Sequence, residues 1–535
     1  MMDEPRDRLK DIVGKLDNID TEIKGLLPRF SASAKQVFGT NPSDSDRAEH
    51  KTITARFLEL NSAMGSLLKD AEEVATLDPT LQAILQRHSR PRPREFRVLR
   101  RHLTDKHVAD TAQIESLLPE AISNILEHVP EKWFAKESKK QGYRLSADFL
   151  NSPLSLVGGT HIRSEFCEAH RLAQAILVAQ DFLESRSDYD FFSGSRLVPE
   201  ICALGLALPT ILRSGKGNVA ERVKRLYRGP SEEVESSIYE LVVAASCIET
   251  GREIQFLATS GSGKKPDFRV LDFGGIPTVI ECKMRRLLTD YQLEEERCVQ
   301  KLFTLACHEC LRKSISGVFD VDFTIELDKV DVASFAEALR RQPLAAGKVT
   351  YDWGIVRLQE LPYEIGFEPI GLYMPVFLKR IFGWNSDLPE FDGLICRVDA
   401  VDDFVTDSVR RPLALRWRSI SETARLHKAR TVLSFLNEAF DQIPTGEMAI
   451  IYLAVWEGSR ADIADDRLQN IKKEIEEATH RRGITVPLIL VHRLLPRALN
   501  VGQPDLIEHV MQFLSSYADP IFVDEFPALV YTMRK

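Results

Sequence analysis

Apolar residues recur at three- and four-residue intervals from the start of the chain. Leu9, Ile12, Leu16, Ile19, Ile23 and Leu26 are spaced 3, 4, 3, 4 and 3, an a/d stripe ended by Pro28. The spacing predicts a short coiled-coil helix within residues 1–28. It spans fewer than three heptads, so it must dock on its own chain or pair two copies into a homodimer through residues 9–26. Ile53, Phe57, Leu60, Met64 and Leu67 continue the helical period on one face. Residues 29–230 are expected to be mainly helical. Within them "RHSRPRPREFRVLRRH" (Arg87–His102) carries seven arginines around Pro91 and Pro93, which break helix and predict an extended linker.

After Ser231 the period shortens. "EIQFLA", "DFRVLD", "TVIECK" and "GVFDVDFTIEL" read as strands, followed by "GLICRVDA", "LALRWRS", "MAIIYLAVW" and "VPLILVHRL". Helical stretches alternate with them over residues 232–249, 287–313, 420–442 and 461–481. Strands separated by helices define the α/β class: a mixed sheet flanked by helices over 231–330, then an α/β C-terminal region over 331–535. "MAIIYLAVW" and "VPLILVHRL" are almost wholly apolar, as buried central strands are. They either extend the first sheet or build a separate domain.

Composition narrows the function classes. A chain of 535 residues with 44% hydrophobic and 28% charged residues supports two to four domains. A net charge of −9 argues against coating nucleic acid by bulk charge, while leaving room for a local basic groove. The N-terminal "MMDEPRDRLKDIVGK" has no apolar core of a signal peptide. The apolar run Leu197–Leu212 is interrupted by Glu200 and two prolines and is too short to span a bilayer. No membrane partner and a cytoplasmic location are expected. The eight cysteines are scattered and read as free thiols.

Candidate chemistry concentrates in "ATSGSGKKPDFRVLDFGGIPTVIECKMRR" (Ala258–Arg286). "GSGKK" fails as a phosphate-binding P-loop: Ala258 stands where the first glycine is needed and Lys265 where a hydroxyl is needed. The hairpin around Gly274 and Gly275 is more informative. A two-residue turn pairs Asp267 with Cys282, whereas an odd or bulged loop sets Asp267 opposite Glu281 and on the face of Lys283. In the second register Asp267, Glu281 and the backbone carbonyl of Cys282 form an all-oxygen set suited to Mg²⁺, with Mn²⁺ as substitute. Glu240 edges the apolar stripe of the preceding helix and can reach the same place; Glu235 is its fallback.

Glu240, Pro266-Asp267 and Glu281-Cys282-Lys283, in the order helix, strand, strand, strand, helix, strand, resemble the PD-(D/E)XK nuclease superfamily with its restriction-endonuclease-like fold. The resemblance covers about residues 231–327. It implies Asp267, Glu281 and Glu240 as metal ligands, Lys283 as the catalytic lysine, and hydrolysis of phosphodiester bonds in DNA, with RNA as the alternative. Restriction, phage defence and repair all suit such a chain. Lys264, Lys265, Arg269, Arg285 and Arg286 flank the hairpin and are expected to face phosphates. No ATPase motif is present, so an energy-driven step requires a partner protein. The rival readings are a non-catalytic nucleic-acid-binding protein and a coiled-coil assembly protein on the same scaffold.

Two further signals are weaker. Cys298, Cys307 and Cys310, with His308, lie in one predicted helix without the paired knuckles of a zinc site, and are expected to be helical thiols. "RRPLALRWRSISETARLHKAR" (Arg410–Arg430) alternates arginines with Trp417 and is a second candidate surface for nucleic acid.

Overall fold

The computed structural model describes residues 111–140, most of 154–514, and shorter pieces within 11–70, at 97–99 and at 526–531. Strand β1 (Arg97–Leu99) precedes helices α1 (Thr111–Leu126) and α2 (Glu131–Ser138), then β2 (Leu154–Val157) and β3 (Thr160–His161). Helices α3 (Arg171–Leu183) and α4 (Phe191–Ser214), strand β4 (Lys216–Gly217) and helices α5 (Val219–Arg228) and α6 (Val234–Glu249) lead to β5 (Ile254–Phe256), β6 (Phe268–Val270) and β7 (Thr278–Arg285). Next come α7 (Asp290–Lys313), β8 (Gly317–Phe323), α8 (Val332–Arg341), β9 (Lys348–Tyr351), β10 (Gly354–Glu360), β11 (Glu364–Gly371), α9 (Pro375–Phe382), β12 (Gly393–Asp399) and β13 (Val405–Ser419). The chain closes with α10 (Glu422–Gln442), β14 (Met448–Trp456), α11 (Ala461–Arg482), β15 (Thr485–Ala498) and β16 (Pro504–Leu514).

Two mixed sheets organise these elements. The first runs β1-β16-β15-β14-β7-β6-β5-β4, and the second β3-β2-β12-β13-β8-β10-β9, with β11 beside β13. The α/β class expected from the alternating pattern is what the chain adopts. Its division differs from the expected one. The contiguous unit anticipated over 231–330 is split, because β8 joins the second sheet and the neighbour of β7 is β14, in parallel. The second sheet's β8–β13 are thus inserted between two halves of the first. Short strands also interrupt the mainly helical region: β2 and β3 belong to the second sheet, and β1 edges the first.

Burial explains why β14 is central. All nine of its residues are buried. Ile450, Tyr452 and Ala454 join the core made with α4 and α6, while Ile451, Leu453 and Val455 meet Val432 and Leu436 of α10 and Ile471 of α11. A strand covered on both faces has no polar side to show, hence its unbroken apolar sequence. Helix α4 begins on Asp190, whose carboxylate accepts from the amides of Phe192 and Ser193, and it continues through both Pro199 and Pro209. The apolar run expected to be too short to span a bilayer thus lies within a helix of 24 residues. Among the described residues α4 is the one helix long and apolar enough to cross a membrane, and 78% of its apolar window is buried in the protein. Gly205 lets it touch α1, since a Cβ there would lie 2.2 Å from the carbonyl oxygen of Ala121.

Described positions of the N-terminal stripe face their own chain. Ile12 is buried, Leu26 packs against the main core, and Glu22 pairs with Arg56 at 2.8 Å.

Helix α7 starts with a capping box between Thr289 and Gln292 and ends on Ser314 in the left-handed region. Its buried Glu296 accepts from Ser155 of β2 and Gln300. Burial pushes the Glu296 carboxyl up to about 7, against the two hydrogen bonds. A carboxyl whose folded value lies above its unfolded one loses stability as pH rises between the two values, and the full penalty stands above pH 7. Glu296→Gln is therefore expected to stabilise the protein at pH 8 by up to about 3 kcal/mol and to change little at pH 4. Denaturant unfolding at both pH values checks this; an equal effect at both refutes it.

Candidate active site

Helices α5 and α6, the start of β6 and the middle of β7 meet around a cavity of about 330 Å³. Strands β6 and β7 pair through Phe268↔Ile280, Arg269↔Val279 and Val270↔Thr278. That register continues to Asp267 opposite Glu281, the odd-loop alternative; residues 272–277, the turn itself, lie outside the described residues. At Asp267 the ladder ends. Its amide donates to the Ile280 carbonyl, and its Oδ2 accepts from the Cys282 amide at 2.9 Å. The carboxylate is thereby anchored to β7 with Oδ1 toward the cavity side.

Glu240 reaches the cavity from α6, as anticipated from the edge of that helix's stripe. It is 5% exposed. Burial and then the charge of Asp267 push its carboxyl up to about 8, against Arg222 and Arg225. Glu235 is not part of the site: it turns away to Arg196 and Arg171. Lys283 lines the cavity from β7, with Nζ 2.9 Å from Glu281 Oε1. Burial lowers the Lys283 ammonium's affinity for its proton, but Glu281 and Asp267 outweigh it and the net shift is upward. Glu281 lies beneath the cavity, fully buried. Apart from the Lys283 ion pair, neither of its oxygens has a hydrogen-bond partner among the described residues. Burial, then Asp267, holds its carboxyl well above the ordinary range.

The residue that sequence reasoning missed is Arg222. It occupies a position of the apolar stripe of α5, alongside Val219, Val223 and Leu226, all buried. Its guanidinium enters the acidic cluster, with Nη1 2.9 Å from Glu240 Oε2 and 3.3 Å from Asp267 Oδ1. The signal was present: a 3.6-residue stripe with an arginine at a core position marks a buried charge with acidic partners. In "RSGKGNVAERVKRLYRG" (Arg213–Gly229) Arg222 stands among several other basic residues.

The flanking basic residues divide. Lys265 is exposed at the rim, where its carbonyl accepts from Gln442 of α10. Arg269, expected to face phosphates, is paired: its Nη2 lies 2.8 Å from both carboxylate oxygens of Glu447. Pairing on β6 turns it toward the loop before β14. Arg285 sits in β7 in register with Val455, and Lys264 and Arg286 lie outside the described residues. The second candidate surface is likewise neutralised. Trp417 is buried, and Arg416 and Arg418 pair with Asp320 and Asp322 directly across the β13–β8 ladder. Cys307 and Cys310 are buried thiols of α7, pushed up by burial to about 11 and about 12, and His308 is exposed.

No group of three or more His, Cys, Asp or Glu side chains is arranged to hold a metal ion among the described residues. Arg222 Nη1 is shared by Glu240 and Asp267, and Glu281 is drawn to Lys283. The donor chemistry nevertheless fits a small divalent cation: the oxygens are carboxylate, and Glu240 Oε1 and Glu281 Oε2 are buried without a hydrogen bond. No family model, curated protein or solved structure matches this chain.

Proposed function

We propose that the chain is a metal-dependent nuclease of the PD-(D/E)XK type, hydrolysing phosphodiester bonds in DNA. The observation that carries this reading is the convergence of Glu240, Asp267 and Lys283, from three separate elements, on one cavity. The helix α6 followed by the antiparallel β5-β6-β7 supports it; the next helix and strand, α7 and β8, leave this sheet, and the parallel neighbour of β7 is β14.

Asp267 and Glu281 would hold Mg²⁺ or Mn²⁺, with Glu240 and the Cys282 carbonyl in support. Bound there, the ion supplies Lewis acidity toward the scissile phosphate. Lys283, kept protonated by Glu281, orients water and offsets charge on the phosphoryl oxygens. Lys265 contributes positive charge at the rim, where the phosphodiester would enter.

The full chain is incubated with plasmid, linear duplex, single-stranded DNA and RNA in Mg²⁺, Mn²⁺ or EDTA. Metal-dependent cleavage of DNA that EDTA abolishes is expected. DNA binding without cleavage under every condition sinks the reading. It would instead favour a non-catalytic binder, for which the arginine lodged among the carboxylates is the supporting observation.

A further inference from the structure

The Arg222 guanidinium lies where the acidic side chains of two elements converge. Beyond Glu240 and Asp267, its Nη2 donates to the backbone carbonyls of Asp267 at 3.0 Å and Leu257 at 3.4 Å. Arg222 is 5% exposed, and four acceptors fix the plane of its guanidinium. It is a cation built into the floor of the cavity rather than a mobile side chain at its rim.

We propose that Arg222 takes the place of a second divalent cation, so that the site binds one ion per chain, through Asp267 and Glu281. This rests on the nuclease reading above. Nuclease sites that use two ions place carboxylates from different elements around each of them. Here the approach of Glu240 to Asp267 is already bridged by Arg222.

Charge balance points the same way. Ionised, Glu240, Asp267 and Glu281 carry three negative charges, and Lys283 and Arg222 two positive ones. One divalent ion and one phosphodiester then bring the site to neutrality. A second ion would leave two positive charges uncompensated in a buried site, which low dielectric penalises. Arg225 lines the cavity paired with Glu233 at 2.8 Å, and Lys265 is exposed to solvent at the rim, so neither enters the balance of the buried groups. Arg222 is accordingly a positioning residue for the metal ligands, bound to Glu240 and Asp267 through one nitrogen.

Mn²⁺ bound per chain is counted by electron paramagnetic resonance on the full protein without nucleic acid. One ion is expected in the wild type and in Arg222→Lys, two in Arg222→Met, and none in Asp267→Asn. Two ions in the wild type, or one in a folded Arg222→Met, overturn the proposal and leave the nuclease reading standing. No ion in the wild type removes the nuclease reading and the proposal with it. Circular dichroism monitors folding, and Arg222→Gln repeats the count if Arg222→Met does not fold.

Discussion

Replacing Lys283 by alanine is expected to lower phosphodiester cleavage about a thousandfold while the protein stays folded, with Asp267→Ala equally severe. The two side chains act on one centre through different elements. Asp267 is held by the Cys282 amide, and Lys283 is aimed across the cavity by its contact with Glu281. Loss of either removes charge where the transition state develops it, so the double variant is expected to be little worse than each single one. Folding should survive Lys283→Ala because the buried carboxyl of Glu281, already far above its ordinary range, can take up a proton when its counter-ion is gone. Arg269→Ala is the contrast. Its guanidinium is committed to Glu447, and cleavage is expected to change by less than about threefold, within the modest effect of a surface pair. Single-turnover rates on one DNA substrate, beside circular dichroism, decide the matter. A Lys283→Ala protein that keeps a tenth of the activity would place the chemistry elsewhere.

The sequence carried the local parts of this architecture and lost the long-range ones. Helices α6, α7, α10 and α11 fall within three residues of the expected spans, because a 3.6-residue apolar period, a cap and a turn are all local signals. The pairing of β6 with β7 was legible as one of two registers, and the structure selects the one that brings Asp267 toward Glu281. The neighbour of β7 was legible only as one of two alternatives, that the apolar strands extend the first sheet, which they do, or build a separate domain. "GVFDVDFTIEL" follows closely in sequence and has a strand's composition, yet β14, more than 160 residues further on, takes the place. Nothing local ranks two apolar strands for one slot. The exclusively buried run of β14 was the better clue, since a strand with polar alternation such as "DVDF" has a face that wants partners.

Those partners explain the other misreading. Asp320 and Asp322 on β8 stand opposite Arg416 and Arg418 on β13, so an alternating acidic strand answers an alternating basic one. Seen alone, "RWR" looked like a surface for nucleic acid. Seen with "DVD" 96 residues earlier, it is a cross-strand ion-pair ladder. Arg222 and Arg269 repeat the lesson at the site. A basic residue beside an acidic motif is as often the motif's structural counter-ion as its substrate contact, and only the fold separates them.

The second large effect is expected at the junction between the two sheets, where Lys428→Met should destabilise the inserted unit by about 3–5 kcal/mol. Lys428 projects from α10, which also covers β7, and is 2% exposed. Its Nζ lies 2.7 Å from Glu295 of α7 and 3.0 Å from Asp392, just before β12. Asp392 in turn accepts from the Ser419 amide at 2.7 Å and from Arg460 at 3.1 Å. Burial drives the Glu295 carboxyl up to about 7 even with Lys428 present, so removing the lysine leaves two buried acids sharing Arg460 alone. A penalty of this size lowers protection from hydrogen exchange by about a hundred- to several-thousandfold, at 1.4 kcal/mol per factor of ten. The loss should fall on β12 and β13 and spare β14 and β15, because the cluster ties the inserted sheet to α10 rather than holding the first sheet together. Glu295→Gln and Asp392→Asn added to Lys428→Met should restore most of the protection, since they discharge the acids that the lysine had balanced. Uniform loss across both sheets would show instead that the two fold as one cooperative unit, with the ion cluster inside a shared core.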